Sequence, residues 1–419
     1  MRFIIGFLIC VSLFLSGVLH AKPLSCSVSA ESAIVMNADT GKILFQKNAF
    51  EPRYPASITK IATGLYTIKF FPHLMDRQIR CSKEALKCLT EAEKSKGNYS
   101  KYPSYVLETD MSHMGLKVGE EMRFRDLLLG TMIVSGDDAA NVIAETAGNG
   151  SIETFMEGMN QYLAGLGLKN TKFLNPHGLH HPEHVSTAYD IALLAREALN
   201  EPRYMAMVKM SRFDRPETNK QKAVTLRQTN KLIVKSSEHY YPYATSGKTG
   251  YHRRARHNLA ATAEKEGRRL IAVVLSCEKR PTMFEDTKKL FQTAFQEEKT
   301  QRTLSPRGAQ KFQREVRGGK TPVSTYTEEA LTLSFYPSEE PEIRCQLIWD
   351  KAAAPLKMGD RVGELQLLAD NIPVKKAPLL AANDVEMSFF YSLRQRPYLL
   401  IAIGALLLIA LYFLIKRRR

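Results

Sequence analysis

PASITK, residues 55–60, places a serine at 57 and a lysine at 60, just behind a proline. The stretch reads either as the start of an ordinary helix or as a nucleophile carrying its own base. Pro55 suits a helix entrance, and Ile58, Ile61, Ala62, Leu65 and Ile68 mark one apolar face, which predicts a helix over 57–70. In that helix Ser57 and Lys60 lie one turn apart on the same side. A serine hydroxyl is a poor nucleophile at its own pKa and needs a base within hydrogen-bond reach. A lysine that is desolvated or crowded by other cations can be that base. The helix N-terminus adds N–H groups and a positive dipole end for an oxyanion. Four residues are too short a pattern to decide between the two readings alone.

Two further stretches carry matching chemistry. SGD (135–137) falls at a break between two helical patterns, where a hydroxyl and a carboxyl can project into a cleft. KTG (248–250) is expected to begin a strand beside a late hairpin. Its lysine and threonine supply a cation and a donor for a substrate carboxylate, and its glycine opens a backbone edge on which a peptide can pair.

The surrounding pattern is α+β. SAIVMNADTGKILFQKN (32–48) reads as a hairpin, as does HNLAATAEKEGRRLIAVVLSC (257–277). Between them lie a polar, lysine-rich stretch at 78–112 read as a surface excursion, a helix–break–helix at 125–148, and a helix at 186–200 capped by Ser186 or Thr187. EDTKKLFQTAFQEE (285–298) adds an amphipathic helix. Helices between two hairpins predict one sheet in which both ends of the domain meet. Beyond about residue 300, short alternating runs with Pro and Gly between them predict a small all-β domain.

Both termini are unusual. Residues 1–21 have one early arginine, a long apolar run and a small residue at Ala21, the layout of a secretory leader; an uncleaved anchor is the alternative. Tyr398 to Ile415 is 18 residues without a charge, about 27 Å as a helix, with Arg394 and Arg396 before it and Lys416–Arg419 after it. The denser basic cluster favours a cytoplasmic tail at 416–419. Together the two ends predict export and a single C-terminal transmembrane helix at 398–415, with the body on the outer face of the inner (cytoplasmic) membrane. The net charge of +16 leaves about +10 on the body. That suits anionic surfaces, but no aromatic-interleaved basic patch points to nucleic acid. Of six cysteines, Cys10 lies in the leader; Cys81 and Cys88 are the only close pair, so they are either bridged or among five free thiols.

The order S-x-x-K, S-x-N, K-T-G resembles the signature of penicillin-binding proteins and serine β-lactamases. The chain is similar to the low-molecular-mass penicillin-binding proteins, the serine D-alanyl-D-alanine carboxypeptidases. Segments such as LKVGEEMRFRDLLLGTMIVSGDDAANVIAE, NPHGLHHPEHVSTAYDIALLA, TNKL, GKTGYH and HNLAATA look like that family's over residues 32–298. The resemblance implies a β-lactamase/transpeptidase-like catalytic domain over 22–300 and the family's second domain over 303–388. It implies that Ser57 is acylated, that Lys60 is its base, and that Ser135 relays a proton. Lys248 and Thr249 would hold the terminal carboxylate beside Gly250, and the N–H groups of Ser57 and Tyr251 would form the oxyanion hole. Asp137 stands where the family has an asparagine that contacts the substrate amide. Arg253, Arg254 and Arg256 stand where small residues are usual.

The histidines of HGLHHPEH (177–184) raise a zinc site as an alternative. Gly178 and Pro182 break the register that would converge two of them, and no His-Glu-x-x-His is present, so the segment reads as a surface turn and neither metal nor cofactor is expected. The expected function is removal of the terminal D-alanine from peptidoglycan stem peptides, with β-lactams as inhibitors. DD-endopeptidase activity, or a binding protein that has lost catalysis, are the alternatives.

Overall fold

Apolar runs from the two ends of the first unit pair with each other. The computed structural model describes residues 21–96 and 101–417. Strands β1 (Ser32–Asn37), β2 (Ile43–Lys47), β3 (Ala244–His252), β4 (Arg256–Lys265) and β5 (Arg268–Cys277) form an antiparallel sheet in the order β2-β1-β5-β4-β3. Successive side chains of a strand point to opposite faces. Ile34 and Met36 enter one apolar cluster, whereas Ala33 and Val35 enter another. Both faces are covered, which is why SAIVMN is continuously apolar rather than alternating. KTG lies in the second half of β3, not at its start.

Helices that cover one face include α1 (Lys60–Phe70), α2 (Phe124–Ile133), α3 (Asp137–Ala147), α4 (Ile152–Gly165) and α5 (Ala188–Leu199), and the short helix Pro202–Val208 adds Tyr204, Met205 and Val208 to the same core. Helix α6 (Arg280–Phe295) covers the other with Met283, Phe284, Leu290 and Phe291. Helix α1 is buried almost all round, as befits a central helix. The helix predicted from 57 is in fact two pieces, a 3-10 turn at Ala56–Thr59 and then α1. Thr187, not Ser186, caps α5 by accepting the Asp190 N–H.

The stretch 78–112 is more than a surface excursion. Gln78–Arg80 pairs with Glu121–Arg123, and Cys81, Ala85, Tyr105, Val106 and Leu107 are buried. Asn141 of α3 donates to the Ala85 and Tyr105 carbonyls and ties the segment down. Its lysines mislead because they sit on a thin polar skin over a few strongly buried residues.

Pro23–Glu297 form one compact unit, and the described residues from Glu298 onward belong to another. The second is all-β: Gly308–Arg314, Val323–Thr327, Ile372–Ala381, Arg361–Ala369 and Ile343–Trp349 make a five-stranded sheet in that order, and Thr300–Ser305 pairs with Leu331–Phe335. Val323, Leu331, Leu365, Leu367 and Leu379 fill its core. Two helices follow, Phe389–Gln395 and Pro397–Arg417.

The expected transmembrane helix at 398–415 is corrected. Among the described residues no helix is long and apolar enough to cross a membrane. The expected leader lies outside the described residues, apart from Ala21. Cys26, Cys81, Cys88, Cys277 and Cys345 are all free thiols, so Cys81 and Cys88 are not bridged.

One buried amide joins the sheet to the turn that holds Ser57. Asn258 of β4 is fully buried; its Nδ2 donates to the Tyr54 and Pro55 carbonyls at 2.9 and 3.2 Å, and its Oδ1 accepts the Ser276 N–H at 2.7 Å. Asn258→Ala takes the Asn258 partner from the Tyr54 carbonyl and the Ser276 N–H and one of two donors from the Pro55 carbonyl, and should cost roughly 2–4 kcal/mol. Urea denaturation should show a lower midpoint with an unchanged slope. An unchanged midpoint would mean that the amide does not hold this turn.

Candidate active site

Ser57 sits in a turn that only a particular neighbourhood tolerates. Ala56, just before it, has φ +49°. The Ala56 carbonyl accepts from Thr59 Oγ1 at 2.8 Å. Gly178 packs against it: at φ +93°, any Cβ there would fall 2.0 Å from the Ala56 oxygen. On the other side Gly250 of β3 brings the sheet edge against the same turn, and a Cβ at that position would stand 2.7 Å from the Pro55 oxygen and 3.1 Å from the Ser57 nitrogen. Both glycines are there for close approach.

Lys60 is fully buried beneath Ser57. Its Nζ donates to Ser57 Oγ at 2.9 Å, to the His177 carbonyl at 2.6 Å, and to the Asp137 carboxylate. These three acceptors use all three ammonium protons. Burial drives the Lys60 pKa below that of an ordinary lysine, against the opposing pull of Asp137 and then Asp138. Burial also pushes Asp137 up to about 6, with Lys60 and then Lys248 working the other way. Opposite charges this close favour an ionised Asp137 and a protonated Lys60. Desolvation is the larger effect, because neither side chain reaches enough water to be solvated as an ion.

A second Ser–Lys pair lies alongside. Lys248 Nζ donates to Ser135 Oγ at 2.9 Å and to the Thr249 carbonyl at 2.9 Å. Lys248 is 1% exposed, and burial, followed by the Lys60 charge, holds its pKa well below the usual lysine range. Ser135 occupies the break between α2 and α3 at φ +66°. Asp137 begins α3, where the helix dipole favours a carboxylate, and its N–H donates to the Ser112 carbonyl at 2.8 Å. Asp138 accepts from the Met114 and Leu116 N–H groups and fixes the adjoining loop.

β3 pairs with β4 on one side only, so its other edge is open. A cavity of about 990 Å³ lies there, lined by Ser57, Ser135, Asp137, Thr249, Gly250 and Tyr251 among others. Thr249 Oγ1 donates to Thr229 Oγ1 at 3.0 Å. Tyr251 is 62% exposed and stacks on His257. Thus the eight residues singled out in the sequence converge on one cleft, with Lys60 and Lys248 beneath its floor.

The histidine segment is not a surface turn. His177 and His184 are buried, and each works as a neutral structural ring. His177 Nδ1 accepts the Leu179 N–H, leaving Nε2 to donate to the Tyr105 carbonyl at 3.1 Å. His184 Nδ1 accepts from the Leu174 N–H, leaving Nε2 to donate to Thr59 Oγ1 at 2.8 Å. Burial holds the first well below the ordinary imidazole pKa and pushes the second down to about 3. Among the described residues no side-chain cluster could hold a metal ion. Sequence reasoning missed the His177 carbonyl, Gly178, Thr229 and Asn258. The segments that contain them stand out, but contacts across 20 to 200 residues leave no local pattern.

Comparison with known proteins agrees with this geometry. A family model described as D-alanyl-D-alanine carboxypeptidase matches residues 18–279, and one described as penicillin-binding protein 5, C-terminal domain, matches residues 300–387. The D-alanyl-D-alanine carboxypeptidase DacF of Bacillus subtilis is 32% identical over 378 residues, 88% of each chain. DacC of Escherichia coli is 30% identical over 371 residues, 87% of this chain and 86% of that one. The crystal structure of penicillin-binding protein 6B from Escherichia coli covers 86% of this chain and 97% of its own, at 27% identity and a TM-score of 0.58. With its two paired serines and lysines set along an open sheet edge, this chain belongs to the D-alanyl-D-alanine carboxypeptidase family and is a serine carboxypeptidase of that type.

Proposed function

We propose that Ser57 is the nucleophile that removes the terminal D-alanine from peptidoglycan stem peptides. The observation that carries this is the 2.9 Å contact between Lys60 Nζ and Ser57 Oγ at the floor of the cleft. Neutral Lys60 takes the Ser57 proton as Oγ attacks the penultimate D-alanine carbonyl. The Ser57 and Tyr251 N–H groups receive the developing oxyanion. The C–N bond then breaks, and Ser135, backed by Lys248, relays the proton held by Lys60 to the leaving D-alanine amine, which returns Lys60 to its neutral form. Lys248 and Thr249 hold its carboxylate. Water, deprotonated by the same base, hydrolyses the acyl ester and restores Ser57. Asp137 accepts the substrate's amide N–H. Residues 1–21 act as an export leader, which places the enzyme with its wall substrate outside the cytoplasm. A β-lactam enters as a carbonyl whose leaving group stays tethered, so the acyl-enzyme persists.

The Asp137–Lys60 contact favours a second reading. A lysine held as an ammonium cannot accept a proton, and such a chain would bind wall peptide without cutting it. The two readings separate on acylation.

A labelled penicillin should attach covalently to the wild-type protein, and Ser57→Ala should abolish the label. Label that survives this change would show that another residue is the nucleophile.

The pH dependence follows from the charges. Asp137 and Asp138 raise the Lys60 pKa against its burial, and Asp137 is the larger of the two. Asp137→Asn removes that support, so Lys60 loses its proton at lower pH. The rising alkaline limb of the acylation rate should move to lower pH, and acylation at neutrality should accelerate. A limb that does not move would show that the carboxylate is not coupled to the base. Acylation by the Asn variant alone, at any pH, would establish the binding-protein reading.

A further inference from the structure

A cavity of about 990 Å³ in the second unit is lined by arginines to which the chain offers no carboxylate. The short helix Phe389–Gln395 forms one wall, and the stretch from Arg314 to Gly319 forms the other. The two walls are locked together. The Ser388 N–H donates to the Gly318 carbonyl at 2.8 Å. The Tyr391 ring presses on Gly318, where at φ +76° a Cβ would stand 2.3 Å from it. Gly318 is there for that close approach. The cavity is thus built into the unit rather than opened by a loose end.

Three guanidiniums line it. Arg314 ends the strand Gly308–Arg314, lies over the Trp349 ring at 5.6 Å and donates to the Asp350 carbonyl at 3.3 Å. The backbone of Arg317 is anchored by Ala354, whose N–H donates to the Arg317 carbonyl at 3.0 Å. Arg394 lies three residues beyond Tyr391, on the helix face that is turned to Gly318. None of the three has a carboxylate partner among the described residues. Glu315 lines the same cavity but pairs with none of them, so the lining keeps an excess of positive charge. Like charges gathered in one cavity repel, and a bound anion relieves that repulsion.

The helix wall also carries apolar surface. Phe390 and Leu393 line the cavity, and Phe390 is 81% exposed, with Phe389 beside it at 68%. The two features together call for an anion carried on an apolar body. The volume suits a ligand of many atoms rather than a bare ion. Planar guanidiniums match phosphate oxygens in geometry as well as charge.

We propose that Arg314, Arg317 and Arg394 bind the phosphate of an anionic phospholipid headgroup. Glu315 accepts from a headgroup hydroxyl, and Phe389 and Phe390 meet the boundary of the acyl chains. A zwitterionic headgroup brings its own ammonium to the arginines and is disfavoured. Contact of this kind is peripheral and holds the second unit at a lipid surface with no segment crossing it.

The test is flotation of the full-length protein with vesicles of phosphatidylglycerol or of phosphatidylcholine, matched in acyl chains, at about 0.15 M salt. Wild type should favour phosphatidylglycerol in apparent affinity by about tenfold. The triple variant Arg314→Gln/Arg317→Gln/Arg394→Gln should bring that ratio to within about twofold. A net charge of +16 attracts any anionic surface, so a control is needed. Lys209→Gln/Lys220→Gln/Lys222→Gln removes as many exposed charges from the catalytic unit and should leave the preference in place. All six side chains are exposed, so neither variant disturbs a core. No preference in wild type, a preference that survives the arginine variant, or an equal loss in both variants overturns the site. Inorganic phosphate, added at the concentration of the lipid phosphate, separates the two sources of the same chemistry. A preference that persists supports the headgroup; one that vanishes shows that the site takes free phosphate, and the headgroup assignment fails.

Discussion

One ammonium group, that of Lys60, sets the terms for the catalytic unit. Removing it from water costs several kcal/mol, and that cost is met only if acceptors surround it closely. Three do, and they come from three separate parts of the chain: the Ser57 hydroxyl, the Asp137 carboxylate and the His177 carbonyl. Each acceptor is itself fixed. Asn258 holds the backbone beneath Ser57, Asp138 locks the loop against the start of α3, and His177 is clamped at both ring nitrogens. The sheet, the helix layer and the histidine segment therefore share one requirement, to bring acceptors to a lysine that has no water.

The same burial that makes Lys60 costly makes it useful. A desolvated lysine gives up its proton more readily than an exposed one, as the proposed role of base requires. Lys248 repeats the arrangement beside Ser135, and the Lys60 charge adds to burial in lowering its pKa. Asp137 opposes this. Its carboxylate pulls Lys60 toward the charged form, yet is itself pushed up to about 6 by burial. The site balances these groups more finely than one with an asparagine in that position, whose amide carries no charge.

The polarity of the cleft extends this logic outward. Its floor holds two lysines matched to a hydroxyl each, while its mouth holds Arg253 and Arg254, without carboxylate partners among the described residues, and Glu108 and Asp110, paired with Lys94. That contrast also separates Arg256, committed to Glu31, from its two neighbours at the tip.

Much of the candidate site was legible in the sequence, because its motifs are local. Ser57 and Lys60 are one turn apart, Ser135 falls where a helical pattern breaks, and Lys248 and Thr249 are adjacent, so backbone geometry alone constrains each group. The two hairpins and the buried runs of β1 and β5 were likewise visible as apolar periodicity. Tertiary structure decided the rest. Only packing shows that Gly178 and Gly250 let two backbones touch the nucleophile turn, or that His177 and His184 are buried rather than exposed, because those contacts join residues far apart in the chain. Only packing shows that burial outweighs ion pairing at Lys60 and Asp137, because desolvation depends on what surrounds a group and not on its neighbours in sequence.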